Sequence, residues 1–526
     1  MRGPGHGFRE ARWREPIVME LGRPGERGYV PSRLESEIAD ATREIRELIP
    51  KEMRRRSPPG LPEIAQPEVY RHFLRLSQET MGAAVGFDAG QGTTTLKYNP
   101  PANEAVLRDN GLGDVHPLAD EDQVQGWLQV MHGLDLALRE LSGMARFSLQ
   151  PGGGTHGIYA NACMIRAYHE SRGDSQRDEI LTTILSHPGN AAGPRTAGFK
   201  VVTLYPGANG YVTAEAVRAA VSERTAGLMV SNPEDTGIFN PQIQEIVGLV
   251  HDAGGLCVHD QANANGLVGI VRSVDQGFDL THYNLHKTFS TPHACGGPAC
   301  GAIGATSRLE LFLPTPLVGH ADGRYFFETN RPGSVGRVRS FHGVMPNIVR
   351  AYAWIAAMGG DGLKRMAEAS VLNNNYLALR LGQLAGIKPA YFNSNPSPRL
   401  EQVRYTLADI AAETGVTTDD ISRRSGDFGV SGYFPSHHPR VVPEPATLEP
   451  TETASKADLD YYAWVLAQIV AEARSDPERV RSSPENGPIH RIDTQWLDDP
   501  AQWALTWRAH LRKHRAARHE PVESTV

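Results

Sequence analysis

Three short runs carry residue types that do chemistry rather than packing. The first is Asn284-Leu285-His286-Lys287-Thr288-Phe289-Ser290, directly after the strand-like run Thr281-His282-Tyr283. A lysine lodged between an apolar strand and a Ser/Thr-rich turn is poorly placed to be a solvated charge. Lysine shifts its pKa readily when buried, and the free amine then condenses with a carbonyl to an imine. The second run is His259-Asp260-Gln261-Ala262-Asn263, behind Leu256-Cys257-Val258. A carboxylate at the end of a buried strand is costly without a cationic partner. A protonated pyridine nitrogen is one such partner; capping of the next turn explains the residue equally well. The third run is Gln150-Pro151-Gly152-Gly153-Gly154-Thr155-His156, directly before a helical pattern. Glycines let backbone amides close on an anion, and a helix N-terminus adds its dipole, which suits a phosphate. The spacing is neither G-x-G-x-x-G nor a Walker A, and alone the run serves equally as a plain turn.

Taken in order, the three runs say more than each does singly. Lys287 follows Asp260 by 27 residues and one strand, with the glycine run upstream. That is the spacing of fold-type I enzymes of pyridoxal 5'-phosphate (PLP), in which the Asp faces the pyridine nitrogen and the Lys the aldehyde. PLP is therefore the expected cofactor, held as a Schiff base on Lys287. Arg331 and Arg337 are candidates for a substrate carboxylate, because a guanidinium binds one bidentately; surface or interface ion pairs account for them as well.

The elements that must position these runs alternate. Helical patterns cover 122–142, 158–170, 214–223 and 241–253, and strand-like runs cover 147–149, 179–185, 200–204, 227–231, 256–259 and 280–284. Strand–helix alternation with β-branched runs predicts a mostly parallel sheet covered by helices, with ligands beyond the carboxyl ends of the strands. The expected organisation is an N-terminal arm (1–66) with one helix near 32–56, a PLP-binding large domain (67–345), a smaller α+β C-terminal domain (346–495) and a basic tail (496–526). A long helical stretch over 347–381 is expected to break at Gly359-Gly360.

Bulk properties exclude other classes. The 526 residues are too many for one core. A net charge of −7 argues against a nucleic-acid binder. Four scattered cysteines, at 163, 257, 295 and 300, form no CxxC and no zinc spacing, so reduced thiols and no metal are expected. No stretch approaches a membrane span, Met1–Glu15 lacks the apolar core of a signal peptide, and a cytoplasmic location follows.

Over roughly 22–494 the chain resembles subunit 2 of the glycine decarboxylase P-protein of the glycine cleavage system. The run NLHKTFSTPHACGGPAC (284–300) matches that family's lysine motif, and YFFETNRPGSVGRVR (325–339), residues 71–99 and EPTETASK (449–456) also match. The resemblance implies an aspartate aminotransferase-like fold-type I α/β architecture and an assembly of two or four chains, with a homodimer expected. It implies phosphate contacts from Gly153, Gly154 and Thr155, His187 stacked on the pyridine ring, Asp260 at its nitrogen and Ala262 beneath it. His286 is implied as a proton-transfer residue, with simple packing as the other account. Lys97 and Asn99 are implied to reach the substrate from a neighbouring subunit.

The chain departs from the family around the cofactor. The family's QPNAGAQGEYA is QPGGGTHGIYA here (150–160), and its HGTNPASA is HPGNAAGP (187–194). With Lys287 and Asp260 kept and the lining changed, the expectation is a PLP lyase or transferase acting at Cα of a larger amino acid, for example S-adenosylmethionine, in biosynthesis. The alternative is the family's reaction: glycine decarboxylation with aminomethyl transfer to a lipoyl carrier protein, with subunit 1 as partner.

Overall fold

The computed structural model describes residues 15–487, apart from 27, 29–31, 58, 80–87, 91–96, 110, 294–298, 434 and 436–440, together with 490–492, 503, 506 and 509. The expected basic tail lies almost wholly outside the described residues, as does Cys295. Among the described residues, no helix is long and apolar enough to cross a membrane.

The first helices are α1 (Ser36–Glu47), α2 (Gln66–Gln78) and α3 (Pro101–Asp109). Around the first two, Leu34, Ile38, Leu48, Met53, Tyr70 and Phe73 are exposed. The large unit then runs α4 (Gln125–Ser142), β1 (Arg146–Ser148), α5 (Gly154–Ser171), β2 (Glu179–Thr183), α6 (Gly189–Thr196), β3 (Lys200–Leu204), α7 (Ala214–Ala220), β4 (Thr225–Val230), α8 (Ile243–Asp252), β5 (Leu256–Gln261), β6 (Leu280–Asn284) and β7 (Gly301–Ala305). The seven strands form one sheet in the order β1-β7-β6-β5-β4-β2-β3. Only β7 opposes its neighbours in direction. This is the mostly parallel sheet expected from the alternation.

Both faces of the sheet are covered, so β4, β5, β6 and β7 are buried at every residue. Alternate residues feed alternate cores. Ile180, Met229, Leu256 and Val258 join α5 on one face. Leu181, Leu228, Val230 and Cys257 join α4 and α8 on the other. α6 and β7 had no expectation: α6 holds two glycines and Pro194, and β7 is the glycine-rich GAIGA, so neither shows a usable period.

A hairpin, β8 (Leu317–Ala321) and β9 (Arg324–Glu328), precedes α9 (Met345–Leu381). α9 does break at Gly359, whose φ of 63° and ψ of 176° are non-helical. A second core gathers around the antiparallel sheet β10 (Lys388–Pro389), β11 (Val403–Thr406) and β12 (Pro445–Leu448), with α10 (Ala408–Thr414), α11 (Thr418–Gly426), α12 (Lys456–Ser475) and α13 (Pro477–Ser482). Capping boxes start α11 (Thr417 with Asp420) and α12 (Ser455 with Asp458).

Candidate active site

The loops after β1, β2, β4, β5 and β6 all leave the same edge of the sheet, the carboxyl edge, where a doubly covered sheet leaves room for a ligand. Lys287 stands three residues past β6, in a turn closed by its own N–H donating to Asn284 O (3.0 Å) and by Ser290 N–H donating to Lys287 O (3.2 Å). Thr288 anchors that turn from two sides. Its Oγ1 accepts from Ala264 N (2.9 Å), and its carbonyl accepts from Lys97 Nζ (2.8 Å). Lys287 is buried.

Lys97 therefore does something other than expected. Its ammonium is buried against Thr288 of its own chain, pairs with Glu452 at 3.1 Å and lies 5.0 Å from the Trp354 ring centroid. An ammonium so engaged braces the lysine turn and is not open to a substrate carboxylate. Asn99, two residues on, is half-buried, with Oδ1 lacking a partner among the described residues.

Asp260, near the end of β5, is buried and accepts from Asn190 Nδ2 (2.7 Å) and Ala262 N (3.0 Å). Burial pushes its carboxyl up, but His282 and His187, with the bonds from Ala262 and Asn190, outweigh this and hold its pKa below the ordinary value. His282 faces Asp260 across the β5–β6 register. Its Nε2 is 3.3 Å from Asp260 Oδ1, yet neither ring nitrogen makes an aligned hydrogen bond among the described residues. Burial lowers the His282 pKa.

The glycine run turns into α5 as expected. No side chain caps that helix, and a Cβ on Gly154 would stand 2.8 Å from Asn284 Oδ1. A Cβ on Gly189 would meet both Thr155 Oγ1 (3.2 Å) and His187 Nδ1 (3.0 Å), which brings the glycine loop and the His187 loop together. Burial lowers the His187 pKa, and the nearby charges are Asp260, Lys287, Asp235 and His282. The surroundings of His187 are thus those of Asp260 and Lys287. His286 is buried, its Nδ1 lies 3.0 Å from the Cys300 backbone, and burial together with Lys287 pushes its pKa to about 3. It stays neutral at physiological pH.

The two expected arginines go elsewhere. Arg331 donates to Glu328 Oε2 (2.8 Å) and to Glu310 O (3.0 Å). Arg337 is exposed and donates to Ser340 O (3.3 Å). Arg339 is the arginine beside the glycine loop: a Cβ on Gly152 would be 3.0 Å from its Nη1. His282, Asn190 and Arg339 escaped the sequence reading. For His282 a signal existed, since equal strand phase places it beside Asp260.

Among the described residues, one other cluster could suggest a metal: His251, Cys257 and Asp279, with ligand atoms within 4.8 Å of one another. Asp279 is already committed, to His251 Nε2 (2.8 Å), Arg308 Nη2 (2.7 Å) and Cys257 N (2.8 Å). It reads as a hydrogen-bonded knot.

The carboxyl edge fits PLP on its own chemistry. A buried carboxylate kept ionised suits a pyridinium, the uncapped start of α5 with its glycines suits a phosphate, and Lys287 shares His187 as a neighbour with Asp260.

Comparison with known proteins agrees. The family described as "Glycine dehydrogenase, C-terminal domain" matches residues 366–490. A probable glycine dehydrogenase (decarboxylating) subunit 2 of Thermococcus onnurineus is 43% identical over 494 residues, covering 92% of this chain and 95% of that one. Its counterpart in Shouchella clausii is 38% identical over 479 residues, covering 91% and 94%. Among solved structures, an inhibitor-bound glycine decarboxylase (P-protein) superposes with a TM-score of 0.70 at 20% identity, over 84% of this chain and 99% of that one. A NifS-like protein follows at 0.56 and 15%, over 73% and 99%; at these identities both speak to the fold.

Proposed function

We propose, from the premise that this chain belongs to the family of glycine dehydrogenase (decarboxylating) subunit 2, that this PLP-dependent enzyme decarboxylates glycine and passes the aminomethyl group to a lipoyl carrier protein. The family's reaction thereby replaces the larger amino acid expected from the altered lining. Relatives alike over about nine-tenths of the chain carry glycine in their names, so the altered runs at 150–160 and 187–194 do not support a change of substrate.

The observation that carries the reading is Asp260, buried and ionised at the carboxyl edge, with His187 and His282 as neighbours that it shares with Lys287. When bound, PLP supplies the electron sink that lets a Cα–carboxylate bond break. Lys287 is the amine that holds it. Asp260, oriented by Asn190 and Ala262 N, keeps a proton on the ring nitrogen. Gly153, Gly154 and Thr155 hold the phosphate at the start of α5. His187 and Ala262 would hold the ring, His187 by stacking and Ala262 by packing against it. His286, neutral and tied to Cys300, orients the lysine turn. A subunit 1 partner and a cytoplasmic setting accompany this reading, with the subunit-2 names of the relatives as support.

The test is exchange of labelled bicarbonate into glycine by the purified chain with PLP, its subunit 1 partner and lipoylated carrier. Carboxyl exchange is the expected outcome. No exchange with glycine, alongside turnover of a larger amino acid such as S-adenosylmethionine, overturns it.

A further inference from the structure

The segment after β12 sends two carboxylates under the lysine turn. Glu452 takes Lys97 at 3.1 Å. Glu449 has no such partner among the described residues. Its Oε1 accepts from Asn265 Nδ2 (2.8 Å) and from Asn263 Nδ2, while Oε2, fully buried, has no hydrogen-bond partner among the described residues. Asn263 and Asn265 flank Ala264, whose N–H bonds Thr288, the residue after Lys287. Glu449 N–H is itself fixed to Ala89 O (2.7 Å). The carboxylate is thus clamped on one side and open on the other, beside the one lysine of the pair that lacks an ion-pair partner among the described residues. A buried carboxylate oxygen left open is costly unless a charge or donor faces it.

We infer that Glu449 is a positioning residue that sets the protonation of Lys287, acting as its counter-charge from the small unit as Glu452 acts for Lys97. This rests on the reading of Lys287 as the PLP-bearing lysine. Burial raises the Glu449 pKa above the ordinary value; the bonds from Asn265 and Asn263 and the charges of Lys287 and Lys97 work against that and favour the ionised form, while Glu401 and Asp88 oppose it. Around Lys287 stand His187, His282 and His286, whose pKa values are all lowered, first of all by burial. Asp260 lies among the same histidines, so two carboxylates belong to this surrounding, and Glu449 is the one held by the side-chain amides of Asn263 and Asn265.

The experiment is a pH titration of the visible absorbance of the PLP-loaded protein in wild type, Glu449→Gln and Glu449→Asp. Removing an adjacent negative charge should lower the titration midpoint of the lysine nitrogen by about one pH unit or more in Glu449→Gln, with Glu449→Asp close to wild type. The same downward shift should appear in the pH dependence of PLP uptake by apoprotein, which requires the free amine. An unchanged midpoint in folded, PLP-binding Glu449→Gln overturns the inference. Should that variant not fold, Asn265→Ala is read in its place; weakening the anion should again lower the midpoint, and no shift overturns the inference. A wild-type protein that takes up no PLP refutes instead the assignment of Lys287.

Discussion

Strands β5 and β6 carry a buried acid at each end, and the two ends are built differently. At the amino edge, Asp279 satisfies both oxygens with His251, Arg308 and Cys257 N. Arg177 beside it donates to Asp174, Thr225 O and Ala253 O. None of these side chains has a buried polar atom without a partner. At the carboxyl edge, His282 leaves both ring nitrogens open, and Asn190 Oδ1, Gln261 Oε1, Asn284 Oδ1 and Glu449 Oε2 are open too, among the described residues. Residue types at the two ends are alike: acids, histidines and a basic group. The difference is closure. Open buried polar groups cost stability, so the cluster of them around Asp260 is shaped for something that completes it.

That contrast can be broken or sharpened. The largest effect is expected at Lys287→Ala, which should abolish both the visible absorbance with added PLP and glycine turnover; a retained visible band breaks the assignment outright. Next, Asp260→Asn should cut turnover on the order of 10²-fold by removing the charge that keeps the ring nitrogen protonated. Its apoprotein should melt no lower than wild type, because an open cluster contributes little stability. Asp279→Ala should do the reverse: it leaves Cys257 N and Arg308 without their acceptor, lowering stability by about 2 kcal/mol in denaturant titration, with the PLP band unchanged. If both variants lose stability equally, the two ends are not different in kind.

A further effect lies in pH dependence. Burial raises Glu401 to about 8 from an ordinary 4.5, and Glu449 adds to the shift. A raised acid pKa means that the folded chain holds a proton that the unfolded chain releases. The contribution of Glu401 to stability is then greatest below about 4.5 and falls as pH rises toward 8. Glu401→Gln should therefore raise the apoprotein's Tm at pH 8 and leave it nearly unchanged at pH 4.5. An equal change at both values overturns this.

Much of the fold was legible because it is local. The β3 and β6 bounds agree with the periodicity to the residue, since apolar β-branched runs flanked by turn residues admit few other readings. α6 and β7 were not legible, because glycine and proline leave no period to read. In the site, Lys287, Asp260 and the glycine run announced themselves by lying just past strand ends. Arg331 and Arg337 misled because a guanidinium advertises carboxylate binding without saying whose; here the partners are Glu328 and a backbone carbonyl.

By itself the sequence singled out the candidates for holding the cofactor: a buried-turn lysine, a strand-end aspartate and a glycine-led helix start carry their chemistry in their local context. Only the tertiary structure decided which buried charges find partners. Lys97 is braced by Glu452, and Glu449 is bonded to Asn263 and Asn265 with one oxygen left open beneath the lysine turn. Those pairings depend on strand register and on how the small sheet seats against the large one, and no spacing along the chain encodes a contact between elements hundreds of residues apart.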